Sequence, residues 1–213
     1  MSIPDFFIHS QTVGMGMSVK YQAQLHTELH SIGFAQLPGT ITDTQHAALW
    51  RESTRQFNKA RLANGGESLQ YRSRLASLGP VGKHFLLGRP MGSLLESVFG
   101  QPYQLSSQSS CYTYYREGDF ISAHKDDADS CKVTVLIYLV AQSQHPEKHT
   151  SGLYLDIYQD DNGLPEKRLW RIQTKAGVLV LGRGSEVWHA RQALLPEEQV
   201  DLLSACFTPA INF

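Results

Sequence analysis

The chain has 213 residues, of which 41% are hydrophobic and 18% are charged, and its formal net charge at pH 7 is −1. This composition is typical of one folded domain with a buried core and argues against a disordered chain. A net charge so close to zero gives no reason to expect nucleic acid as a partner.

The spacing of the cysteines and the N-terminal residues exclude further classes of protein. Cys111, Cys131 and Cys206 lie far apart and form no Cys-x-x-Cys pair, so we expect neither a disulfide framework nor a thiolate zinc site. The first residues lack the basic region and apolar core of a signal peptide, and no apolar run is long enough to span a bilayer. We therefore expect a cytoplasmic protein with a single domain, residues 1–213, and no membrane partner.

The first 102 residues are predicted to be mainly helical. Thr42 or Asp43 can cap a helix that Asn64-Gly65-Gly66 stops, and the Gly79–Gly82 stretch, which contains Pro80, is expected to break the chain. We interpret residues 67–92 as loops that face a substrate. The predicted elements are helices over residues 21–30, 43–61 and 91–99 and a strand over residues 33–39.

From residue 103 onward, short apolar runs separated by turns and polar loops indicate strands. The predicted strands cover residues 103–115, 120–124, 132–140, 152–158, 169–173, 177–181, 186–193 and 200–207. Eight short strands after a helical N-terminal half predict an α+β fold that is mainly β. Its core would be a double-stranded β-helix, or jelly roll, over residues 103–208, supported by helices from residues 1–102.

The second of these strands ends on His124-Lys125-Asp126. Residues two apart on a strand share a face, so His124 and Asp126 can reach one point while Lys125 turns away. His189 follows a later strand-like run at a comparable position. Two neutral imidazoles and one carboxylate form the facial triad that binds Fe(II) and leaves coordination positions open. A surface turn with hydrogen-bonding side chains is the alternative for the His-x-Asp triplet alone.

The order and spacing of these motifs resemble the 2-oxoglutarate and Fe(II)-dependent dioxygenases, in particular their prolyl-hydroxylase-like branch. The resemblance covers about residues 103–208. It implies that His124, Asp126 and His189 hold Fe(II) in an enzyme that couples oxidative decarboxylation of 2-oxoglutarate to C–H oxidation. The implied cofactors are Fe(II) and 2-oxoglutarate, with dioxygen as a further substrate and ascorbate as an accessory reductant. The motifs that carry the resemblance are Cys111-Tyr112, Gly118, His124-x-Asp126, residues 133–139, residues 151–155, residues 175–181 and His189.

The same resemblance suggests residues for the co-substrate. Tyr138 falls where this branch often has a tyrosine that donates to the co-substrate carboxylate, and Tyr112 or Tyr114 falls near another pocket tyrosine. The alternative for all three is that they are core aromatic residues on one face of the sheet.

One departure from the family concerns the base that binds the far carboxylate of 2-oxoglutarate. The family usually carries an Arg or Lys on the strand after the distal His, but residues 194–202 contain no base. Arg191, two residues after His189, should share its face and could bind a carboxylate through two hydrogen bonds. The alternatives are that Asp201 or Glu198 neutralises Arg191, or that Arg191 points to solvent.

Other functions remain as alternatives at this level. The chain could be an Fe(II) oxygenase that does not use 2-oxoglutarate, or a non-catalytic jelly-roll binding module whose His and Asp are incidental. A cupin-type dioxygenase is disfavoured because cupins usually cluster more histidines near the first one.

From the compact chain and its lack of charge bias, we expect a small-molecule substrate such as an amino acid or a specialised metabolite. The sequence does not distinguish hydroxylation from desaturation or cyclisation, nor does it indicate an oligomeric state.

Overall fold

Four helices and eleven strands form the part of the chain that the computed structural model describes, residues 19–66, 69–144 and 151–210. The helices are α1 (Val19–Ser31), α2 (Asp43–Phe57), α3 (Pro80–Leu87) and α4 (Arg89–Phe99). The strands are β1 (Phe34–Leu37), β2 (Arg61–Asn64), β3 (Tyr71–Ser77), β4 (Tyr103–Tyr115), β5 (Phe120–His124), β6 (Val133–Gln142), β7 (Tyr154–Asp161), β8 (Leu164–Gln173), β9 (Leu179–Gly182), β10 (His189–Arg191) and β11 (Gln199–Pro209).

The strands pair antiparallel in the order β1-β9-β6-β11-β4-β3-β5-β10-β7-β8, and β2 adds to β3. β3 pairs with β4 at its C-terminal end and with β5 at its N-terminal end, so it links two layers. One layer contains β9, β6, β11 and β4, and the other contains β5, β10, β7 and β8. This arrangement confirms the predicted double-stranded β-helix with supporting helices.

Two hydrophobic cores follow from the alternation of side chains along the strands. The barrel core, between the two layers, contains Phe34, Tyr115, Tyr138 and Leu155. The outer core lies between the first layer and the helices, and Tyr112 belongs to it. The candidate site described below lies within the barrel.

Local sequence explains how α2 and α3 are placed. Thr42 accepts a hydrogen bond from the backbone of Gln45, whose side chain accepts one from the backbone of Thr42, so α2 begins with a capping box. Glu52 in α2 accepts hydrogen bonds from the backbone N–H groups of Val81 and Gly82, at 2.7 and 2.8 Å. A carboxylate at the N-terminus of α3 is favourable because the first helical N–H groups have no partner within the helix.

The structure corrects several element bounds. All eight strands predicted after residue 103 are present, with ends that shift by a few residues, but α2 ends at Phe57 rather than near residue 61. The predicted loop region contains β3 and α3, and Pro80 begins α3 instead of breaking the chain. Proline is favourable there because its missing N–H would be unpaired in any first helical turn. Residues 1–18 and 145–150, parts of a predicted lead-in and a predicted polar loop, lie outside the described residues.

A disulfide joins Cys131, just before β6, to Cys206 in β11. The expectation from cysteine spacing is therefore wrong for this pair. The two cysteines are 75 residues apart in sequence, but β6 and β11 are paired strands and Cys206 lies opposite Thr134.

Among the described residues, no helix is long and apolar enough to cross a membrane.

Candidate metal centre

Neighbouring strands bring two histidines and one aspartate together. His189 begins β10 directly opposite His124, which ends β5, and Asp126 follows two residues later. Asp126 Oδ1 lies 3.5 Å from Nε2 of His124 and 3.8 Å from Nε2 of His189. One possible ligand atom from each residue lies within 4.8 Å of the others, so the structure brings the three predicted ligands together.

Backbone carbonyls fix the orientation of both imidazoles. Nδ1 of His124 lies 2.9 Å from the carbonyl of Ser122, and Nδ1 of His189 lies 2.9 Å from the carbonyl of Val187. A carbonyl only accepts hydrogen bonds, so each Nδ1 must carry the proton and each Nε2 presents its lone pair. This is the orienting contact that metal-binding histidines usually have.

The protonation states also suit a metal. Burial and the neighbouring His124 lower the pKa of His189 to about 4, so its imidazole is neutral at pH 7. Burial alone would raise the pKa of Asp126, but His124, His189 and a hydrogen bond from Thr134 outweigh it, and the pKa falls to about 2. The site thus offers a neutral nitrogen donor at His189 and an ionised carboxylate at Asp126.

Arg191 faces the same cavity as the three candidate ligands. The cavity has a volume of about 80 Å³ and is lined also by Tyr115, Leu136 and Ser204. Arg191 is 4% exposed and donates to the hydroxyl of Tyr138, at 3.0 Å, and to the carbonyl of Gly152. The expected common face of His189 and Arg191 is therefore present.

The acidic residues considered as partners of Arg191 are engaged elsewhere. Asp201 pairs with Arg116 at 2.5 Å, and Glu198 accepts from the backbone N–H groups of Gly152 and Leu195. Among the described residues, Arg191 makes no ion pair. A buried guanidinium that is bonded only to neutral groups favours an anionic ligand, because an uncompensated buried charge is costly.

The three predicted tyrosines lie in different environments. Tyr138 is fully buried behind Arg191 and contacts the guanidinium rather than the cavity. Tyr112 donates to Glu52 and Tyr114 donates to the carbonyl of Ser53, so both point to α2 and belong to the outer core. That position does not support a co-substrate role for Tyr112 or Tyr114, and the alternative of core aromatics describes them.

Sequence reasoning missed two residues of the site. Tyr115 points into the cavity, with Arg191 Cζ 5.3 Å from its ring centroid, and Thr134 donates to Asp126. Strand alternation sets Tyr115 on the face opposite Tyr112 and Tyr114. It could not show which face is inside, because both faces of β4 are buried here.

A groove of about 610 Å³ is lined by the end of α1 and the turn after it, by β7, by the middle of β8 and by the loop that leads into β10. We call it the α1 groove. Val187 and Ile157 line it and also contact His189, through the Nδ1 hydrogen bond and through strand pairing, but none of the three candidate ligands lines it. Its lining is mainly apolar and includes Leu29, Ile32, Ile157, Trp170, Val187 and Trp188.

The sequence matches no protein-family model and no curated protein, but many solved structures share the fold. A prolyl-4-hydroxylase from Pseudomonas putida is 18% identical, with 89% of this chain and 100% of that chain covered and a TM-score of 0.62. The alpha-ketoglutarate-dependent epimerase SnoN from nogalamycin biosynthesis is 13% identical, with 91% and 82% covered and a TM-score of 0.72. HygX from Streptomyces hygroscopicus is 14% identical, with 88% and 87% covered and a TM-score of 0.66.

The fold is that of the 2-oxoglutarate and iron-dependent oxygenases, prolyl hydroxylases among them. The resemblance seen in the sequence is thereby confirmed at the level of the fold. SnoN has been solved with Fe3+, alpha-ketoglutarate and nogalamycin RO, and HygX with nickel, 2-oxoglutarate and hygromycin B. The metal and co-substrate predicted from this sequence are thus of the kind that these neighbours hold.

Proposed function

We propose that this protein is an Fe(II) and 2-oxoglutarate-dependent dioxygenase that oxidises a C–H bond of a small molecule. The observation that carries the proposal is the convergence of Nε2 of His124, Nε2 of His189 and Oδ1 of Asp126 in one cavity with Arg191, which makes no ion pair among the described residues. The first three groups suit a cation and the arginine suits a carboxylate.

The donor set fits Fe(II). With both Nδ1 protons held by carbonyls, two lone pairs and a carboxylate oxygen face one another without a hydrogen between them. Such acceptors are stabilised by a cation, and a 2-His-1-carboxylate set with open positions is typical of non-haem Fe(II) oxygenases. His124, Asp126 and His189 would therefore be the metal ligands.

Arg191 would bind the far carboxylate of 2-oxoglutarate. Tyr138 and the carbonyl of Gly152 orient the guanidinium, and a planar guanidinium can hold a carboxylate through two hydrogen bonds. In this protein the anchor would come from β10 rather than from the following strand, where the family usually has it. Tyr138 would act on the co-substrate only through Arg191.

When bound, Fe(II) would activate dioxygen, the oxidant, and 2-oxoglutarate would supply two of the four electrons through its oxidative decarboxylation to succinate and carbon dioxide, the substrate C–H bond supplying the other two. The chain's own residues bind and orient these groups. Leu136, Leu155 and Leu202 line the cavity and exclude water from it. Ascorbate remains an accessory reductant in this proposal.

The α1 groove has a size that suits a small-molecule substrate. Its volume lies within the range of about 300–1,000 Å³ that is common for small-molecule sites, and its lining is mainly apolar. Two fold neighbours, SnoN and HygX, were solved with small molecules bound. Amino acids and specialised metabolites fit this proposal, and hydroxylation, desaturation and cyclisation share the same first oxidation.

Oxygen consumption by the Fe(II)-loaded protein tests the proposal. We expect slow oxygen uptake that requires added 2-oxoglutarate and yields succinate, and that is lost in His124→Ala. Oxygen uptake without 2-oxoglutarate would instead support an Fe(II) oxygenase with another co-substrate. A protein that binds no Fe(II) would support the non-catalytic binding module.

A further inference from the structure

Thr134 contacts the oxygen of Asp126 that faces away from the histidines. Thr134 is 4% exposed in β6, and its hydroxyl donates to Oδ2 of Asp126. The sulfur of Cys131 lies 3.6 Å from the same oxygen, but it belongs to the disulfide and has no proton to donate. An ionised carboxylate only accepts hydrogen bonds, so the Thr134 hydroxyl is the side-chain donor to Oδ2.

Gly184 leaves the space in which these two groups meet. A Cβ at this position would lie 2.0 Å from Oδ2 of Asp126 and 2.2 Å from Oγ1 of Thr134. The carbonyl of Gly184 also accepts the backbone N–H of Asp126, at 2.9 Å. The backbone and one carboxylate oxygen of Asp126 are therefore both fixed by the protein.

This arrangement leaves Oδ1 as the oxygen that faces Nε2 of His124 and Nε2 of His189. A carboxylate that rotates freely can offer both oxygens to a metal ion. The second oxygen would then compete for a coordination position that a chelating co-substrate or dioxygen needs.

We propose that Thr134 is a positioning residue that restricts Asp126 to ligating the metal through one oxygen. The inference rests on the proposed Fe(II) site and adds to it a requirement for the Thr134 hydroxyl.

Thr134→Val removes the donor but keeps the shape of the side chain, whereas Thr134→Ser keeps the donor. Thr174, 3% exposed with its hydroxyl donating to the carbonyl of Leu153 at 2.8 Å, provides a matched control away from the cavity.

The test is anaerobic titration of each purified variant with Fe(II), followed by titration with 2-oxoglutarate at saturating Fe(II). In Thr134→Val, we expect Fe(II) affinity to fall about 10- to 100-fold, the usual effect of losing a contact that orients a metal ligand. Affinity for 2-oxoglutarate should fall as well. Thr134→Ser and Thr174→Val should bind both as the parent does.

The other outcomes overturn the inference in different ways. Parent-like binding of Fe(II) and 2-oxoglutarate by Thr134→Val removes the role of the hydroxyl. Equal losses in Thr134→Ser or Thr174→Val show a packing effect instead, and a parent that binds no Fe(II) overturns the proposed function as well. If Thr134→Val does not fold, Thr134→Ser and Thr134→Ala give the same comparison, because they differ by the hydroxyl alone.

Discussion

At the scale of single residues, Arg191 gives the clearest indication of an anionic ligand. Its guanidinium is buried in the cavity of the candidate metal centre, and its two hydrogen-bond acceptors, the Tyr138 hydroxyl and the Gly152 carbonyl, are both neutral. A dicarboxylate bound between Arg191 and a metal at the three ligands would compensate both charges. We therefore expect the cavity to bind a short dicarboxylate in preference to a monocarboxylate.

Replacing Arg191 tests that role. Arg191→Gln should weaken 2-oxoglutarate binding by about 10- to 100-fold, because a hydrogen bond to a charged partner contributes about 1.5–3 kcal/mol. Fe(II) binding should be retained, and anaerobic calorimetry measures both affinities. Arg168→Gln is the control, because Arg168 pairs with Asp156 away from the cavity. An unchanged 2-oxoglutarate affinity in Arg191→Gln, or an equal loss in Arg168→Gln, would contradict the assignment.

His189 predicts how the metal-free protein responds to pH. Its pKa is lowered from the ordinary value of 6.5 to about 4, so the unfolded chain binds a proton there that the folded protein does not. Stability should therefore fall as the pH drops from about 6.5 towards 4. Between pH 7 and pH 5 this residue should account for a loss of about 2 kcal/mol in the free energy of unfolding.

Urea unfolding of the metal-free parent and of His189→Gln at both pH values measures this effect. Glutamine keeps a polar side chain but does not titrate, so the variant should lose about 2 kcal/mol less than the parent between pH 7 and pH 5. Identical pH dependence in the two proteins would contradict a buried, neutral His189.

At the scale of elements, the loop from β9 to β10 contacts two residues of the candidate metal centre. Gly184 in this loop contacts the carboxylate of Asp126, and Val187 holds the imidazole of His189. The loop therefore positions two candidate ligands from different parts of the chain, Asp126 after β5 and His189 in β10.

Gly184→Ala tests the loop. The added methyl group would lie 2.0 Å from Oδ2 of Asp126 and must displace it. We expect Fe(II) affinity to fall by at least about 10-fold in anaerobic titration. Gly92→Ala in α4 is the control, since a Cβ there meets nothing within 4 Å, and its Fe(II) affinity should be that of the parent. Parent-like Fe(II) binding by Gly184→Ala would show that the contact is not required.

The elements themselves were partly predictable. Short apolar runs between turns and polar loops predicted every strand after residue 103; most of these strands are largely buried, whereas β8 is mostly exposed. β3 and α3 were missed because short polar or glycine-rich segments acquire their structure from tertiary contacts. β3 is stabilised by pairing with β4 and β5, and α3 by Glu52 at its N-terminus.

At the scale of the whole molecule, the disulfide between Cys131 and Cys206 links the start of β6 to β11 beside the metal centre. Disulfides are rare in cytosolic proteins of most organisms. The disulfide therefore favours an oxidising environment, in disagreement with the cytoplasmic location predicted from the sequence. By the chain-entropy model, closing a loop of this length contributes up to about 4.5 kcal/mol to stability.

Counting thiols in the denatured, unreduced protein tests the link. The chain has three cysteines, of which Cys111 is free, so we expect one reactive thiol before reduction and three after it. Reduction should also lower the melting temperature of the parent. Three reactive thiols in protein purified without reductant would contradict the disulfide.

The convergence of the three candidate ligands was predictable from sequence because metal binding fixes residue type and spacing: His124-x-Asp126 at the end of one strand and His189 on a later one. Arg191 followed from the same alternation. The inward position of Tyr115 and the contact between Thr134 and Asp126 were not predictable, since they depend on which face of β4 is inside and on the pairing of distant segments.

The most direct test of the account is anaerobic visible absorption of the purified protein as Fe(II) and then 2-oxoglutarate are added, with His124→Ala alongside. The account predicts a weak charge-transfer band that requires both additions and is absent from His124→Ala. Fe(II) binding without a band would contradict the role of 2-oxoglutarate. The absence of Fe(II) binding by the parent would contradict the metal centre itself.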